Sequence, residues 1–169
     1  MRFVVAVLGL LLCVKSYAQK QESYDLLDYE MPSGDWTRSA GKDSVSYKLS
    51  SRRGYCILTL CKAAISMGSV DADAQTDWTT HVAKRFPNIT NPKKSNWEVE
   101  GSKWTQVQYT GTVLKNKLSI LVSQITFSGY GVRQTIIFEN TDTSFDPYLL
   151  AFSSSMVIHP VQTIEPKNK

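Results

Sequence analysis

The sequence is poor in the side chains on which most catalytic and metal sites depend. It contains two histidines, His81 and His159, and three cysteines, one of which lies within the first eighteen residues. General acid–base and Cys–His chemistry needs a histidine in most designs. The sequence also lacks a Gly-x-Ser-x-Gly motif and a glycine-rich loop of the kind that binds phosphate. We therefore expect no catalytic residues, no cofactor and no metal site.

One acidic segment resembles a calcium loop but departs from it at two key positions. Asp71, Asp73 and Asp77 alternate with other residues in the manner of an EF-hand. The turn glycine at the sixth position is replaced by Thr76, and the bidentate acid at the twelfth by Val82. Negative charge at the N-terminus of a helix explains these aspartates better.

Charge of one sign is not concentrated anywhere in the sequence. The formal net charge is +4, and removal of residues 1–18 lowers the Lys and Arg count from 19 to 17 against 15 acids, which leaves +2. Arg52–Arg53 and Lys93–Lys94 are isolated basic pairs. Nucleic-acid binding requires a concentrated basic surface. We therefore expect no nucleic-acid partner.

Long apolar runs are absent except at the start. Phe3–Val14 is apolar, Arg2 precedes it, and Ser16 and Ala18 supply small residues for a cleavage site. This pattern is typical of a secretory signal peptide and is too short for a stable membrane anchor. Leu12 stands where a lipoprotein signal has a small residue before its cysteine, which argues against lipidation of Cys13. We expect cleavage after residue 18, export to the periplasm or the extracellular space, and no integral membrane segment afterwards.

The remaining cysteines, Cys56 and Cys61, are predicted to stay unpaired within the chain. On one strand they would be about 16 Å apart, whereas a disulfide needs Cα atoms roughly 4.4–6.8 Å apart. Their odd spacing also places them on opposite faces of the strand.

The stretch from residue 103 to 139 predicts an antiparallel meander of three strands. Branched and aromatic residues recur there, and the runs are interrupted at Lys115–Lys117 and at Ser128–Gly131, both with turn chemistry. Leu118–Ser128 is apolar on both faces, which is typical of a central strand. In the third strand Arg133 lies on the face opposite Ile136.

The rest of the sequence adds shorter strands and two helices. Aspartates early and Trp78, Val82 and Phe86 at four-residue spacing predict a helix over residues 70–86, and a second helix is expected over 144–154. The predicted fold class is α+β, with six to seven strands flanked by these helices. Residues 19–25 are expected to form a flexible lead, 26–158 a single globular domain and 159–169 a disordered tail.

The order of these landmarks resembles the secreted bacterial proteins of PsbP-like architecture, which are similar in shape to the extrinsic photosystem II subunit and to a eukaryotic Ran-binding protein. The resemblance covers residues 26–158 and rests on three segments: the turn with Pro32, Gly34 and Trp36, the strand end Thr126–Gly131, and the helix end Ala151–Ser155. It implies an antiparallel sheet sandwiched by helices. It implies no particular function, because members of the family bind unrelated partners.

Two functional hypotheses follow. The first is an exported, non-catalytic module that binds a protein or an envelope component, with Tyr130 and its neighbour Arg133 as contact residues. Tyr130 is singled out because a bulky ring between two glycines of a turn is often exposed. The alternative is a small-molecule carrier or hydrolase with a cleft between helix and sheet, lined by some of the tryptophans Trp36, Trp78, Trp97 and Trp104.

Overall fold

The computed structural model describes residues 21–98 and 103–160, with the side chains of residues 97 and 98 excepted. The predicted signal peptide, residues 161–169 of the predicted tail and Val99 lie outside the described residues. The strands are β1 (Gln21–Tyr24), β2 (Leu27–Glu30), β3 (Thr37–Ala40), β4 (Ser44–Ser51), β5 (Gly54–Cys61), β6 (Ala64–Ile65), β7 (Lys93–Glu98), β8 (Thr105–Lys115), β9 (Leu118–Gly129), β10 (Val132–Asn140) and β11 (Val157–Ile158). The helices are α1 (Val70–Asp77), continued by a π-helical segment (Trp78–Ala83), and α2 (Asp146–Ser155), preceded by a 3-10 turn (Thr143–Phe145).

The fold is α+β, as the sequence predicts. Seven strands form one antiparallel sheet in the order β3-β4-β5-β10-β9-β8-β7. The short strand β6 pairs with β10 beyond the end of β5. A small second sheet has the order β1-β2-β11. The predicted meander is confirmed as β8, β9 and β10. Its turns fall at Asn116–Lys117 and Tyr130–Gly131, where the backbone requires positive φ.

One face of the large sheet is covered by α1 and the π-helical segment. Trp78, Val82 and Phe86 pack there with Val107 and Ile137. The four-residue spacing of the apolar stripe drifts around an α-helix, which has 3.6 residues per turn. The wider π turn offsets this drift and keeps the stripe against the sheet.

The opposite face is covered by α2 and the small sheet. Tyr29, Phe138 and Phe152 pack together there. The ring centroids of Tyr29 and Phe152 lie 5.2 Å apart, and those of Phe138 and Phe152 lie 6.0 Å apart. This second layer explains why the sheet is buried on both faces over β5 and β10, and why β10 carries seven consecutive buried residues.

Several local expectations need revision. Gln21–Tyr24, assigned from sequence to a flexible lead, pair with β2 as β1, and His159 donates its backbone N–H to Leu26. The strand β3 was not expected. The first helix ends as a π turn at Ala83, so Phe86 follows the helix instead of closing it. Among the described residues, no helix is long and apolar enough to cross a bilayer.

Cys56 and Cys61 are both unpaired and buried, as predicted. They lie in different core clusters on opposite faces of β5. Burial raises the pKa of each thiol to about 12. Neither thiol is therefore suited to act as a nucleophile near neutral pH.

Candidate binding surface at the Tyr130 end of the sheet

The β9–β10 turn holds an aromatic residue in a backbone conformation that favours asparagine or glycine. Gly129 pairs with Val132, so Tyr130 and Gly131 form a two-residue hairpin turn with φ of 53° and 77°. Positive φ at both central residues defines a type I′ turn. A tyrosine in the left-handed region costs roughly 1–2 kcal/mol. The conformation of Tyr130 therefore depends on the packing around it.

That packing comes from Trp104. The rings of Trp104 and Tyr130 have centroids 5.5 Å apart, and Lys103 Nζ lies 5.7 Å from the Tyr130 ring centre. Trp104 also lies against Gly129, where a Cβ would come within 2.8 Å of the indole and of the Lys103 carbonyl oxygen. Tyr130 nevertheless remains 51% exposed. The turn thus presents a fixed, half-exposed aromatic ring.

Two further apolar side chains lie beside this turn. The short strand β6 pairs Ile65 with Val132, and Ser66 donates its backbone N–H to the Gly131 carbonyl at 2.9 Å. Ile65 is 82% exposed and Met67 is 63% exposed. The Ile65 backbone is paired with the sheet, and the Met67 backbone N–H donates to the Asp73 carboxylate on α1, so their exposure does not result from a loose loop.

A shallow hollow of about 420 Å³ continues this surface and is mostly apolar. Asp25 and Lys62 supply its charged groups, and the Asp25 carboxylate accepts a hydrogen bond from the Ala63 backbone at 2.8 Å. Asp25 itself adopts a positive φ of 53°. We call the surface formed by Ile65, Met67, Tyr130 and this hollow the Tyr130 end. The full lining of the hollow is Asp25, Leu26, Lys62, Ala63, Ala64, Ile65 and Val132.

Arg133 does not share this surface with Tyr130, contrary to its expected place. Its side chain is only 12% exposed and lies beneath α1. Its Nε donates to both carboxylate oxygens of Asp77, at 3.1 and 3.2 Å, and a terminal nitrogen lies 3.5 Å from Asp73 Oδ1. The same guanidinium donates to the carbonyl oxygen of Ile65. Arg133 therefore ties β6 to α1 and supports the Tyr130 end from within.

Asp73 and Asp77 are the residues whose role the sequence pattern obscured. Asp73 is fully buried and accepts hydrogen bonds from the Met67 backbone (2.6 Å), Ser66 Oγ (2.7 Å) and Ser128 Oγ (2.6 Å). These contacts fix the loop that carries Met67. Asp73 and Asp77 are four residues apart, beside the apolar stripe of the helix. This i, i+4 spacing is the signal that would have placed both carboxylates at the edge of the buried face. Asp71, in contrast, is exposed and pairs with Lys94 at 2.7 Å.

The polar network continues along β9 and β10 under α1. Asp77 also accepts from Thr135 Oγ1 at 2.6 Å, and Thr135 is 2.8 Å from Thr126 Oγ1. Gln124 donates to the Ala74 carbonyl at 2.9 Å, while its Oε1 has no partner among the described residues. The layer between α1 and the sheet is thus filled by packed and hydrogen-bonded side chains.

The tryptophans proposed to line a helix–sheet cleft do not form one in the described residues. Trp78 and Trp104 are buried in the two main cores. Trp36 packs edge-to-face on Tyr148, with ring centroids 6.2 Å apart, and the side chain of Trp97 lies outside the described residues.

Metal-ligating and catalytic groups are not brought together in the described residues. They contain no cluster of three or more His, Cys, Asp or Glu suited to hold a metal ion. His159 Nε2 lies 2.8 Å from Asp28 Oδ2 in an exposed pair, and His81 lies in the π-helical segment.

Comparison with known proteins identifies solved structures of similar fold but assigns the chain to no sequence family. The sequence matches no family model and no curated protein. The solved structure of LpqN from Mycobacterium tuberculosis, described as involved in cell envelope biogenesis, matches with a TM-score of 0.53 and 13% identity, over 79% of this chain and 83% of that chain. A structure from Bacteroides thetaiotaomicron VPI-5482 matches with a TM-score of 0.53 and 10% identity, over 83% of this chain and 48% of that chain. PA94 from Pseudomonas aeruginosa, described as a protein of unknown function, matches with a TM-score of 0.47 and 15% identity, over 84% and 92% of the two chains.

The likenesses to LpqN and to the Bacteroides structure show a mixed α/β fold shared with these bacterial proteins. Identities of this size show a common fold and do not transfer a function.

Proposed function

We propose that this chain is an exported, non-catalytic binding module of the bacterial cell envelope, with a PsbP-like sandwich fold, that docks a protein partner on its Tyr130 end. The observation that carries the proposal is the exposure of Ile65, Met67 and Tyr130 on two backbone segments that are hydrogen-bonded to each other. Aromatic residues and methionine are enriched at protein interfaces, and anchors of this kind dominate binding energy. Arg133 is a supporting residue in this proposal, and Tyr130 is a contact residue.

The rigidity of the surface favours binding. Asp73 and Arg133 hold the Ile65–Met67 segment through hydrogen bonds to its backbone, and Trp104 supports the Tyr130 ring. A surface that is ordered before binding loses less conformational entropy when a partner docks. The strain stored at Tyr130 fits the same interpretation, because unfavourable backbone conformations cluster at functional sites.

The assignment to the cell envelope rests on the signal-peptide pattern of residues 1–18. The description of LpqN as a protein of cell envelope biogenesis is consistent with it.

A second candidate function is supported by the hollow beside Ile65. Its volume of about 420 Å³ lies within the range of roughly 300–1,000 Å³ usual for small-molecule sites. Asp25 and Lys62 would orient a small, mostly apolar ligand with a polar end. In this alternative the chain is a carrier, and the Tyr130 ring forms the wall of an entrance.

Site-specific photo-crosslinking in the native host tests the two candidates. A photoreactive amino acid replaces Met67 in one variant and Leu150 in the control, because Leu150 is similarly exposed and lies on α2, outside the segments that form the Tyr130 end. The protein-docking proposal predicts one discrete protein adduct at position 67, none at position 150, and loss of the adduct when Tyr130 is also changed to alanine.

The opposite results are equally informative. Adducts of the same kind at both positions, or none at position 67, would refute a protein-docking site at the Tyr130 end. If position 67 instead labels a small molecule, and Lys62→Ala removes that label, the carrier function replaces the module.

A further inference from the structure

The end of the sheet farthest from Tyr130 has a different surface chemistry. β9 runs for 12 residues from Leu118 to Gly129, so its two turns are about 36 Å apart at 3.3 Å per residue. At the Leu118 end, the β8–β9 turn projects with every residue from Leu114 to Ser119 exposed. Asn116 and Lys117 take φ of 51° and 65°, which closes the hairpin tightly.

Strand register gathers basic residues from three segments at this end. Asn140 pairs with both Leu121 and Cys56, which places the β4–β5 turn at the same end as the β8–β9 turn. The β4–β5 turn carries an arginine pair, and the turn that follows the π-helical segment carries two more cations, of which Arg85 pairs with Glu139 on β10. We call this surface the basic end; its cations are Arg52, Arg53, Lys84, Arg85, Lys115 and Lys117, all exposed.

The acids nearby do not neutralise this charge. Glu139 is buried against Arg85, and burial raises the pKa of its carboxyl. Asp142 accepts hydrogen bonds from Ser144, which together with the charge of Arg53 lower its pKa. Asp146 accepts a hydrogen bond from Asn140 at 2.6 Å. Among the described residues, six cations at this end thus face three carboxylates, one of them buried.

Exposed leucines stand among these cations. Leu114 is 74% exposed and Leu118 is 40% exposed, and they flank Lys115, Asn116 and Lys117 at the tip of the hairpin. Register places them on opposite faces of the hairpin, because Leu114 pairs with Ser119 and Leu118 with Lys115. Both leucines can therefore enter an apolar layer together when the tip points at it, while the lysines reach back toward its charged surface.

We infer that the basic end is a docking surface for an anionic phospholipid bilayer, with Leu114 and Leu118 as the inserting residues. Apolar side chains that reach the acyl boundary combined with lysines near anionic headgroups form a general mode of peripheral membrane binding. Nucleic acid fits less well, because single-strand binding uses exposed aromatic stacking platforms and the exposed apolar residues of this tip are aliphatic. Bilayer docking by this end would leave the Tyr130 end pointing away from the membrane, free for its partner.

Vesicle sedimentation of the chain from Gln19 onward tests the inference. The probes are vesicles of phosphatidylcholine alone and of phosphatidylcholine mixed with phosphatidylglycerol. Binding is expected only to the anionic vesicles and should weaken as salt is raised. The double change Leu114→Ser, Leu118→Ser and the double change Lys115→Gln, Lys117→Gln should each lower the partition coefficient about tenfold or more. Leu150→Ser, an exposed leucine on α2, should leave it unchanged.

Three results would overturn the inference, provided that circular dichroism shows folded variants. The first is equal binding to neutral and anionic vesicles, or binding to neither. The second is anionic binding that both double variants retain. The third is a DNA oligonucleotide bound through the same lysines while vesicles are ignored, which would make the basic end a nucleic-acid surface. The test is independent of the proposed protein docking, because Ile65→Ser, Met67→Ser changes the Tyr130 end and should leave vesicle binding intact.

Discussion

Replacing Asp73 with asparagine tests whether the buried network under α1 holds the Tyr130 end in place. The substitution keeps the size of the side chain and removes its charge. Asp73 accepts three hydrogen bonds of 2.6–2.7 Å and lies 3.5 Å from a terminal nitrogen of Arg133. Asparagine has one acceptor oxygen, so its amide nitrogen would face hydrogen-bond donors.

The expected cost follows from burial and charge. A hydrogen bond to a charged group contributes roughly 1.5–3 kcal/mol, and breaking a buried ion pair costs roughly 3–5 kcal/mol. Arg133 keeps Asp77 as a partner, which limits the loss. We expect Asp73→Asn to lower the free energy of unfolding by about 3 kcal/mol.

Urea denaturation measures this change, with Asp71→Asn as the matched control. Asp71 lies two residues away and forms an exposed ion pair with Lys94, so its loss should cost less than about 1 kcal/mol. With an m-value of about 2 kcal/mol/M, the Asp73 variant should have its midpoint lowered by about 1.5 M. Hydrogen exchange should also show lost protection of the Met67 amide. If the two variants unfold at the same urea concentration, the network does not support this end of the sheet.

Three more substitutions probe the turn and the buried acid. Gly129→Ala should lower the free energy of unfolding by about 1–3 kcal/mol, because a Cβ there meets Trp104 and the Lys103 carbonyl. Gly41→Ala is the control, since a Cβ at Gly41 has no contact closer than 3.6 Å. Equal melting temperatures of the two variants would contradict this packing. Tyr130→Asn should leave the free energy of unfolding within about 1 kcal/mol, since Asn-Gly suits a type I′ turn, yet abolish crosslinking at position 67; a retained adduct would remove Tyr130 from the site. Burial raises the pKa of Glu139 above 4.5 in the folded state, so the folded protein binds the proton more tightly than the unfolded chain does. The contribution of Glu139 to stability therefore falls as pH rises from 4.5 through the raised pKa of the folded state. Glu139→Gln should therefore flatten the pH dependence of unfolding above pH 4.5, and an unchanged pH profile would show that the carboxyl does not titrate in this way.

The strand pattern of the central meander was predictable because it rests on local chemistry. Asn116 and Gly131 tolerate positive φ, and the run between them is apolar on both faces, as in a central strand, so the approximate bounds of β8, β9 and β10 follow from neighbours in sequence. Cys56 and Cys61 stayed unpaired for an equally local reason, the length of five strand residues. β1 escaped prediction because its first three residues are polar and the segment forms a strand only by pairing with β2.

The residues of the candidate site were harder to predict, because their surroundings depend on tertiary packing. The parity of β10 correctly placed Arg133 on the face opposite Ile136, but parity does not say what covers a face. Because α1 packs over that face, Arg133 became an internal anchor paired with Asp77. Ile65 and Met67 lie in a segment without periodicity, so no pattern marked them as exposed anchors.

The sequence by itself determined the strand meander, the two helices and the unpaired cysteines, since each depends on residues close together along the chain. Only the tertiary structure decided which surfaces the molecule presents. Strand register and helix packing join β6 to the Tyr130 turn, and they bring Arg52 and Lys115 from distant turns to the opposite end. Surfaces of this kind depend on contacts between residues far apart in sequence, and a single sequence carries no periodic signal for them.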